Sequence, residues 1–222
     1  MIVRSVLLTV DLIALVHCNN KRLQYKTLNQ YQLQMGYENN LIVKKPIVID
    51  MRITPHIFIA GLSGNGKTKM VEYALKDKKV VLINVFEEDL KFFKSSRRIN
   101  GNDNILKYLN NLLKNIKRHE RPLYIIIDEM LVLCNDKAIS KAIADILAVG
   151  RHYNIFIVAI SQIGTKESIK FKDLFNARVC FRQVEESSYR TVLGYSPENT
   201  KLKKREFYYY SDNVGRGKTY TI

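Results

Sequence analysis

Cysteine is scarce in this chain of 222 residues, which contains only three. Cys18, Cys134 and Cys180 are far apart and odd in number, and none has a neighbouring cysteine at a metal-site spacing. The pattern argues against a disulfide-stabilised secreted domain and against a cysteine-ligated metal site. We expect reduced, mostly structural thiols in a cytoplasmic protein, in a bacterium or an infected host cell.

An apolar run long enough to span a bilayer is also lacking. The candidate run, residues 2–16, is interrupted by Arg4 and Asp11 and is too short to cross a membrane. No small-residue cleavage site follows it. We predict that it packs on the domain as a strand or an amphipathic helix and that the protein makes no membrane contact. Contact with a membrane interface is the less favoured alternative.

Repeats and low-complexity linkers are absent, so the sequence predicts one domain, which is long enough to bury a full core. The excess of 36 Lys and Arg over 21 Asp and Glu gives a formal net charge of +15. Such a charge favours polyanionic partners, with nucleic acid first and an anionic membrane surface second. A basic surface that serves only solubility is the alternative from charge alone.

Residues 61–68 read G-x-x-x-x-G-K-T and follow the apolar run 56–60. This is the pattern of a Walker A phosphate loop, in which a buried strand leads into a glycine-rich turn and then a helix. The glycines let backbone N–H groups point at phosphates, and the helix N-terminus adds its positive dipole end. We therefore predict ATP binding by Gly61, Leu62, Ser63, Gly64, Asn65, Gly66, Lys67, Thr68 and Lys69.

Apolar runs of strand length alternate with longer helical stretches from Leu41 onward. Continuous apolar strands separated by helices predict an α/β fold, a mostly parallel sheet with helices on both faces. The tyrosine- and glycine-rich residues 207–222 predict a C-terminal β-hairpin with its turn at residues 215–217. We read residues 1–40 as an N-terminal extension and residues 41–222 as a P-loop ATPase domain. The predicted strands are residues 47–50, 57–60, 80–84, 123–128, 155–160 and 177–181, and the predicted helices include 105–116 and 137–149.

The apolar run 123–127 ends in Asp128 and Glu129, which predicts the second half of the nucleotide site. Asp128 at the end of a buried strand can hold Mg²⁺ opposite the Thr68 hydroxyl. Glu129, one residue later, can polarise the water that attacks the γ-phosphate. An Asp-Glu pair alone is weak evidence for a nucleotide site, but after a Walker A loop it favours ATP hydrolysis over passive nucleotide binding.

Two further residues are candidates for the same chemistry. Gln162 stands just beyond the apolar run 155–160, where its amide could contact the γ-phosphate or the attacking water; a polar cap on the strand end is the alternative. Arg151 immediately precedes that run, which places it at the opposite edge of the sheet from its own nucleotide. It could act as an arginine finger toward a neighbouring subunit, or be a solvated surface residue.

These segments resemble the motor domain of the FtsK/SpoIIIE family, in the FtsK/HerA branch of RecA/ASCE-like P-loop NTPases. The resemblance lies in residues 49–68 with their Pro55-His56 pair, residues 80–90, 123–131, 150–162, 175–182 and 187–194. It implies an ATP- and Mg²⁺-dependent translocase of double-stranded DNA that forms a homo-oligomeric ring, usually a hexamer. Asn84 stands where the family usually has Asp.

The chain lacks the membrane-spanning region and winged-helix domain of full-length FtsK, so we do not expect a role in chromosome segregation at a septum. Short members of the group serve viral genome packaging or mobile-element transfer, with a portal, a relaxase or another protein as docking partner. The Lys-, Asn- and Ile-rich composition fits either context. A regulatory ATP-binding switch and a membrane-recruited conjugation coupling factor are the alternatives.

Two basic sets are candidates for pore loops that contact the DNA backbone, and either could equally be a solvated face. The candidates are Lys91, Lys94, Arg97 and Arg98 after the second predicted strand, and Lys166, Lys170 and Lys172 after Gln162.

Overall fold

The structure is a computed structural model, and it describes residues 28–39, 44–162 and 172–220. The candidate run 2–16, Cys18, Lys166 and Lys170 therefore lie outside the described residues. In the described part of the chain, no helix combines the length and the apolar character that a membrane crossing requires. Cys180 is a buried free thiol there, and burial raises its pKa to about 12.

In the part of the chain that the structure describes, ten strands form one sheet. In chain order they are β1 Gln32–Asn39, β2 Lys44–Asp50, β3 Ile57–Ala60, β4 Lys79–Ile83, β5 Arg97–Ile99, β6 Leu123–Ile127, β7 Ile155–Ser161, β8 Ala177–Phe181, β9 Glu206–Tyr210 and β10 Val214–Lys218. The helices among the described residues are α1 Lys67–Leu75, α2 Asn102–Lys114, α3 Met130–Leu133, α4 Lys137–Val149 and α5 Glu186–Leu193. Short 3₁₀ turns cover Lys91–Phe93, Gly150–Tyr153 and Lys172–Leu174.

The strand order is β2-β1-β10-β9-β8-β3-β7-β6-β4-β5. The six strands from β8 to β5 are parallel, whereas the four from β2 to β9 are antiparallel. β6 and β7 are buried along their whole length, as expected for parallel strands that are covered on both faces. The predicted mostly parallel α/β sheet is confirmed.

Helices cover both faces of this sheet. α1 packs on one face through apolar side chains such as Met70 and Leu75. α2, α4 and α5 pack on the other face, where Leu109, Ile143 and Val192 are buried. Because parallel strands share a direction, the loops that follow β3, β4, β6 and β7 all leave from the carboxyl edge of the sheet.

The C-terminal hairpin is confirmed, but the predicted position of its turn is wrong. The turn between β9 and β10 lies at residues 211–213, and the glycines that suggested it lie inside β10. A Cβ at Gly217 would collide with the side chains of Ile47 and Phe207. Glycine is therefore needed there for close packing between neighbouring strands, not for turning the chain.

The N-terminal part of the sheet includes residues that the sequence had placed outside the ATPase domain. β1 pairs with β2 along its length and with β10 at Tyr37 and Lys218. The described end of the predicted extension thus forms part of the same sheet.

Candidate nucleotide-binding site

The glycine-rich loop joins the carboxyl end of β3 to the N-terminus of α1. Its first two residues are anchored to neighbouring strands, since the Gly61 N–H donates to the Ser161 carbonyl (3.2 Å) and the Leu62 N–H to the Arg182 carbonyl (3.0 Å). A Cβ at Gly61 would lie 2.5 Å from the Cβ of Phe181, so only glycine fits. Gly66, with φ 107°, adopts the left-handed region that glycine tolerates.

The rest of the loop leaves donors for a ligand. Within the described part of the chain, the N–H groups of Gly64, Asn65 and Gly66 donate to no backbone or side-chain acceptor. The Asn65 side chain braces the turn instead, because its amide donates to the carbonyls of Leu62 (3.2 Å) and Ser63 (3.3 Å). A turn of free N–H groups at a helix N-terminus is a binding site for phosphate.

Lys67 lies inside this loop with only 8% of its surface exposed. Its ammonium donates to the carbonyls of Gly61 (2.5 Å) and Leu62 (3.2 Å). Burial lowers the pKa of Lys67, and the carboxylates of Glu129 and Asp128 act in the opposite direction. The loop thus holds a largely desolvated cation beside two carboxylates, where a phosphate would gain most from its charge.

Asp128 directly follows the fully buried strand β6. Its N–H donates to the Ile83 carbonyl (3.1 Å), and its Oδ1 accepts the Glu129 N–H (3.0 Å). The Asn84 side chain donates to the Asp128 carbonyl (3.0 Å). Burial raises the pKa of Asp128 to about 6, so a nearby cation would favour its charged form.

Glu129 has φ 47°, in the left-handed region. A non-glycine residue in that region costs of order 1–2 kcal/mol, and such residues cluster at functional sites. The Glu129 Oε1 accepts a hydrogen bond from the Gln162 amide at 2.6 Å. β6 and β7 are neighbours in the sheet, so both side chains emerge from its carboxyl edge. The structure thus brings together Lys67, Asp128, Glu129 and Gln162.

The remaining predicted residues of the loop take different positions. Thr68 is half-buried in the first turn of α1, on the loop side. The Lys69 ammonium forms an ion pair with Glu72 at 2.8 Å along the same helix. Any contact of Lys69 with a nucleotide would therefore come from its backbone.

Arg151 lies far from this group in the fold. It is exposed in the 3₁₀ turn before β7, at the amino edge of the sheet. His56, which precedes β3, is its neighbour at this edge, because the Arg151 guanidinium contributes to lowering the pKa of His56. The expected separation from the subunit's own phosphate loop is confirmed.

Sequence reasoning missed Arg205. Its N–H donates to the Asn65 carbonyl (3.1 Å), and its Cγ lies 3.2 Å from the position that a Cβ on Gly66 would occupy. The C-terminal hairpin thus begins against the phosphate loop. The basic run 203–205 before β9 was the available signal, but its relation to the loop depends on the chain returning across the sheet.

The first set of candidate DNA contacts, the basic residues at 91–98, includes side chains that already interact with other parts of the protein. Lys91 forms an ion pair with Glu88 (2.7 Å), and the Arg98 guanidinium donates to the carbonyls of Phe86, Asp89 and Leu90. Arg98 therefore holds the loop after β4. Lys94 is exposed.

The sequence matches no protein-family model and no curated protein sequence. Solved structures do share the fold. The conjugation coupling protein TcpA of pCW3, in a monomer form with ATPγS, matches with TM-score 0.73 and 17% identity over 88% of this chain and 67% of its own. The cytoplasmic domain of the type VII secretion ATPase EccC from Thermomonospora curvata matches with TM-score 0.68 and 16% identity over 89% of this chain, which spans 29% of EccC.

The genome-packaging NTPase B204 of Sulfolobus turreted icosahedral virus 2, in complex with AMP, matches with TM-score 0.54 and 14% identity over 76% of this chain and 98% of its own. These likenesses, which include a secretion ATPase and a packaging NTPase, confirm the P-loop NTPase fold predicted from the sequence.

Proposed function

We propose that this protein is an ATP-hydrolysing motor of the FtsK/HerA type that moves double-stranded DNA. The observation that carries the proposal is the convergence of buried Lys67, Asp128 and the Glu129–Gln162 pair at one edge of the sheet. The likeness of the fold to ATPases and NTPases supports it.

ATP would bind with its phosphates in the loop 61–68. The free N–H groups of the turn would donate hydrogen bonds to the phosphate oxygens, and the Lys67 ammonium would leave the Gly61 and Leu62 carbonyls for the β- and γ-phosphates. The α1 N-terminus adds its positive dipole end.

The oxygen atoms of Thr68 and Asp128 suit Mg²⁺. Magnesium prefers oxygen ligands and is usually bound by one or two carboxylates together with waters and substrate phosphates. The Thr68 hydroxyl and the Asp128 carboxylate would hold it, and it would neutralise charge on the phosphates.

Glu129 would accept a proton from the attacking water. Its carboxylate is oriented by the Gln162 amide at 2.6 Å, and a base held in position is the requirement for proton transfer in the transition state. Gln162 would also be close enough to the reaction to hydrogen-bond the water or the γ-phosphate once Glu129 moves.

Arg151 would complete the site of a neighbouring subunit. Exposed apolar side chains accompany it at the amino edge, namely Ile53 and Val149, and others line the carboxyl edge, namely Phe86, Val132 and Val184. Apolar side chains at these two different edges suit head-to-tail association, in which the carboxyl edge of one subunit meets the amino edge of the next. Such an assembly closes into a ring when the rotation between neighbouring subunits divides a full turn evenly. We propose a homo-oligomeric ring, with a hexamer as the expected size.

The net charge of +15 supports a polyanion such as DNA as the substrate that the motor moves. TcpA is a conjugation coupling protein and B204 a genome-packaging NTPase, so mobile-element transfer and viral packaging are the proposed contexts, with a relaxase or a portal as docking partner. A regulatory ATP switch that never translocates is the alternative.

The test measures ATP turnover with and without duplex DNA, together with displacement of a triplex-forming strand from that duplex. We expect turnover that DNA stimulates and displacement that requires ATP. Glu129→Gln should bind ATP but lose at least ~100-fold in turnover, the scale of general-base effects. Glu120→Gln, the same change at an exposed glutamate, is the control.

Turnover without DNA stimulation and without displacement would favour the regulatory switch. Absence of turnover in the wild-type protein would refute the motor.

A further inference from the structure

A second basic site lies on the outer edge of the sheet, away from the nucleotide loop. A groove of 580 Å³ opens between the edge strand β5, helix α2 and the segment 115–119. β5 is the last strand of the sheet, and β4, β6 and β7 separate it from β3, which carries the phosphate loop. The groove is therefore a site distinct from the one for ATP.

Among the described residues that line the groove there are several cations and no acidic side chain. Its cationic side chains are Arg97, Arg98, Lys107, Lys117 and, when protonated, His119. Arg98 is committed to backbone carbonyls, but Arg97, Lys107 and Lys117 form no ion pair with any described residue. Burial and the ammonium groups of Lys79 and Lys117 lower the pKa of His119. The groove thus carries uncompensated positive charge.

Amide and aromatic groups occupy the spaces between the cations. Asparagines line the groove at four positions, Asn100, Asn104, Asn111 and Asn115. Tyr108 also lines it, and the Arg97 guanidinium lies over its ring at 5.2 Å from the centroid. Amides hydrogen-bond phosphates and base edges, whereas planar tyrosine and arginine groups offer surfaces for stacked bases.

The dimensions favour a single strand over a duplex. α2 has 13 residues and so runs for about 20 Å at a rise of 1.5 Å per residue. The groove has the volume of a small-molecule cleft, so it would take a short segment of one strand and would not enclose a duplex. A positive groove with an aromatic side chain beside its cations resembles the arrangement of single-strand binding sites.

We propose that this groove binds a segment of single-stranded nucleic acid, with its phosphates at Arg97, Lys107 and Lys117. This site does not depend on ATP hydrolysis, since it shares no residue with the nucleotide site.

The test compares two double variants that each remove two positive charges. Lys107→Gln with Lys117→Gln changes the groove, and Lys137→Gln with Lys201→Gln changes exposed lysines elsewhere. Fluorescence anisotropy with a labelled oligothymidine and with a duplex of equal length gives the affinity of each variant across a salt series. The basal ATP turnover of both variants should equal that of the wild type.

The groove variant should bind the single strand about tenfold more weakly, and the slope of log K against log salt should become shallower by about 1.4, two phosphate contacts at ~0.7 each. The control variant should change affinity less than twofold. NMR titration should show the pKa of His119 rising when the strand binds, because phosphate favours the imidazolium.

Equal losses in both variants would mean that affinity follows net charge, and the groove would not be a site. A loss of affinity for the duplex alone would assign Lys107 and Lys117 to the contacts that the motor makes with double-stranded DNA. Displacement of the strand by polyglutamate at lower concentration than by unlabelled oligothymidine would identify an acidic peptide as the occupant. Each of these results overturns the proposal, and each can be obtained whether or not the protein translocates DNA.

Discussion

The Gln162 amide donates a 2.6 Å hydrogen bond to the Glu129 carboxylate. The two residues are 33 positions apart, and they meet because the neighbouring strands β7 and β6 end at the same edge of the sheet. Gln162 directly follows β7, so the end of this strand acts on the proposed catalytic base through one side chain.

Gln162→Leu should lower the ATP turnover number about tenfold and leave the affinity for ATP unchanged. Leucine preserves the volume but cannot donate to Glu129, so the carboxylate loses its orientation while the phosphate loop keeps its contacts. Steady-state kinetics and binding of a fluorescent ATP analogue separate the two effects. An unchanged turnover number would remove Gln162 from the proposed machinery.

Lys67→Ala should abolish tight ATP binding. Lys67 is the buried cation of the phosphate loop, and its loss leaves the β- and γ-phosphates without a charge partner. Isothermal titration measures the affinity, and circular dichroism checks the fold. Lys69→Ala removes an exposed ammonium that pairs with Glu72 and should bind ATP nearly as well as the wild type. Tight binding by a folded Lys67→Ala protein would contradict the assignment.

Arg151→Ala should bind ATP normally and hydrolyse it poorly, since a finger stabilises charge only in the transition state. Mixed with Glu129→Gln, it should regain activity. In a randomly mixed ring, about one interface in four joins an intact Glu129 to an intact Arg151 from the neighbour.

Co-assembly of the two variants is checked by light scattering and by co-purification of differently tagged chains. Mixtures that co-assemble without regaining activity would count against the role in trans and shift attention to Arg178 or Arg182. Of these, Arg178 already contacts Asp173 and lies over the Tyr210 ring.

His56 should make the protein less stable as the pH falls. Its Nδ1 accepts the Ile157 N–H at 3.0 Å, and burial, assisted by Arg151, lowers its pKa to about 4. The unfolded chain binds a proton near pH 6.5 and the folded chain does not, so stability decreases between pH 6.5 and 4. Between pH 7 and 5 the loss is on the order of 2 kcal/mol.

His56→Asn should remove this dependence. Asparagine tolerates the positive φ of 62° at this position and can accept the same N–H, but it does not titrate. Urea unfolding at pH 7 and pH 5 measures the difference, with exposed His152→Asn as the control. The raised pKa of Asp128 has the opposite effect on stability, because it stabilises the fold as the pH falls through 6. This effect is the same in the wild type and the variant, so it cancels in the comparison. Parallel pH profiles for wild type and His56→Asn would exclude His56 as the cause.

Local signals predicted the parallel half of the fold well. Helix α4 has the predicted bounds, Lys137–Val149, because Asp136 caps its N-terminus by accepting the N–H groups of Ala138 and Ile139 and Gly150 follows its end. The fully buried strands were also found, since continuous apolar runs between helices leave few alternatives.

What the sequence did not predict depends on contacts between distant segments. Glycines 215 and 217 suggested a turn, but their small size serves packing against Tyr209, Phe207 and Ile47. Arg205 reaches the phosphate loop only because β9 and β10 return to the sheet beside β8. Gln162 could be placed at a strand end from the sequence, but its partner Glu129 required the strand order. A single sequence carries no direct signal for such distant pairs.

The position of β10 has a consequence for how the chain reaches this structure. β1 and β2 can pair early during synthesis, but within the described sheet they join the other strands only through β10. β10 follows every other described strand along the chain, so this half of the sheet joins the rest last among them. Pairing between such distant segments is slow, because loop closure must occur first. We therefore expect the edge of β1 that pairs with β10 to stay unpaired until the other described strands have been synthesised.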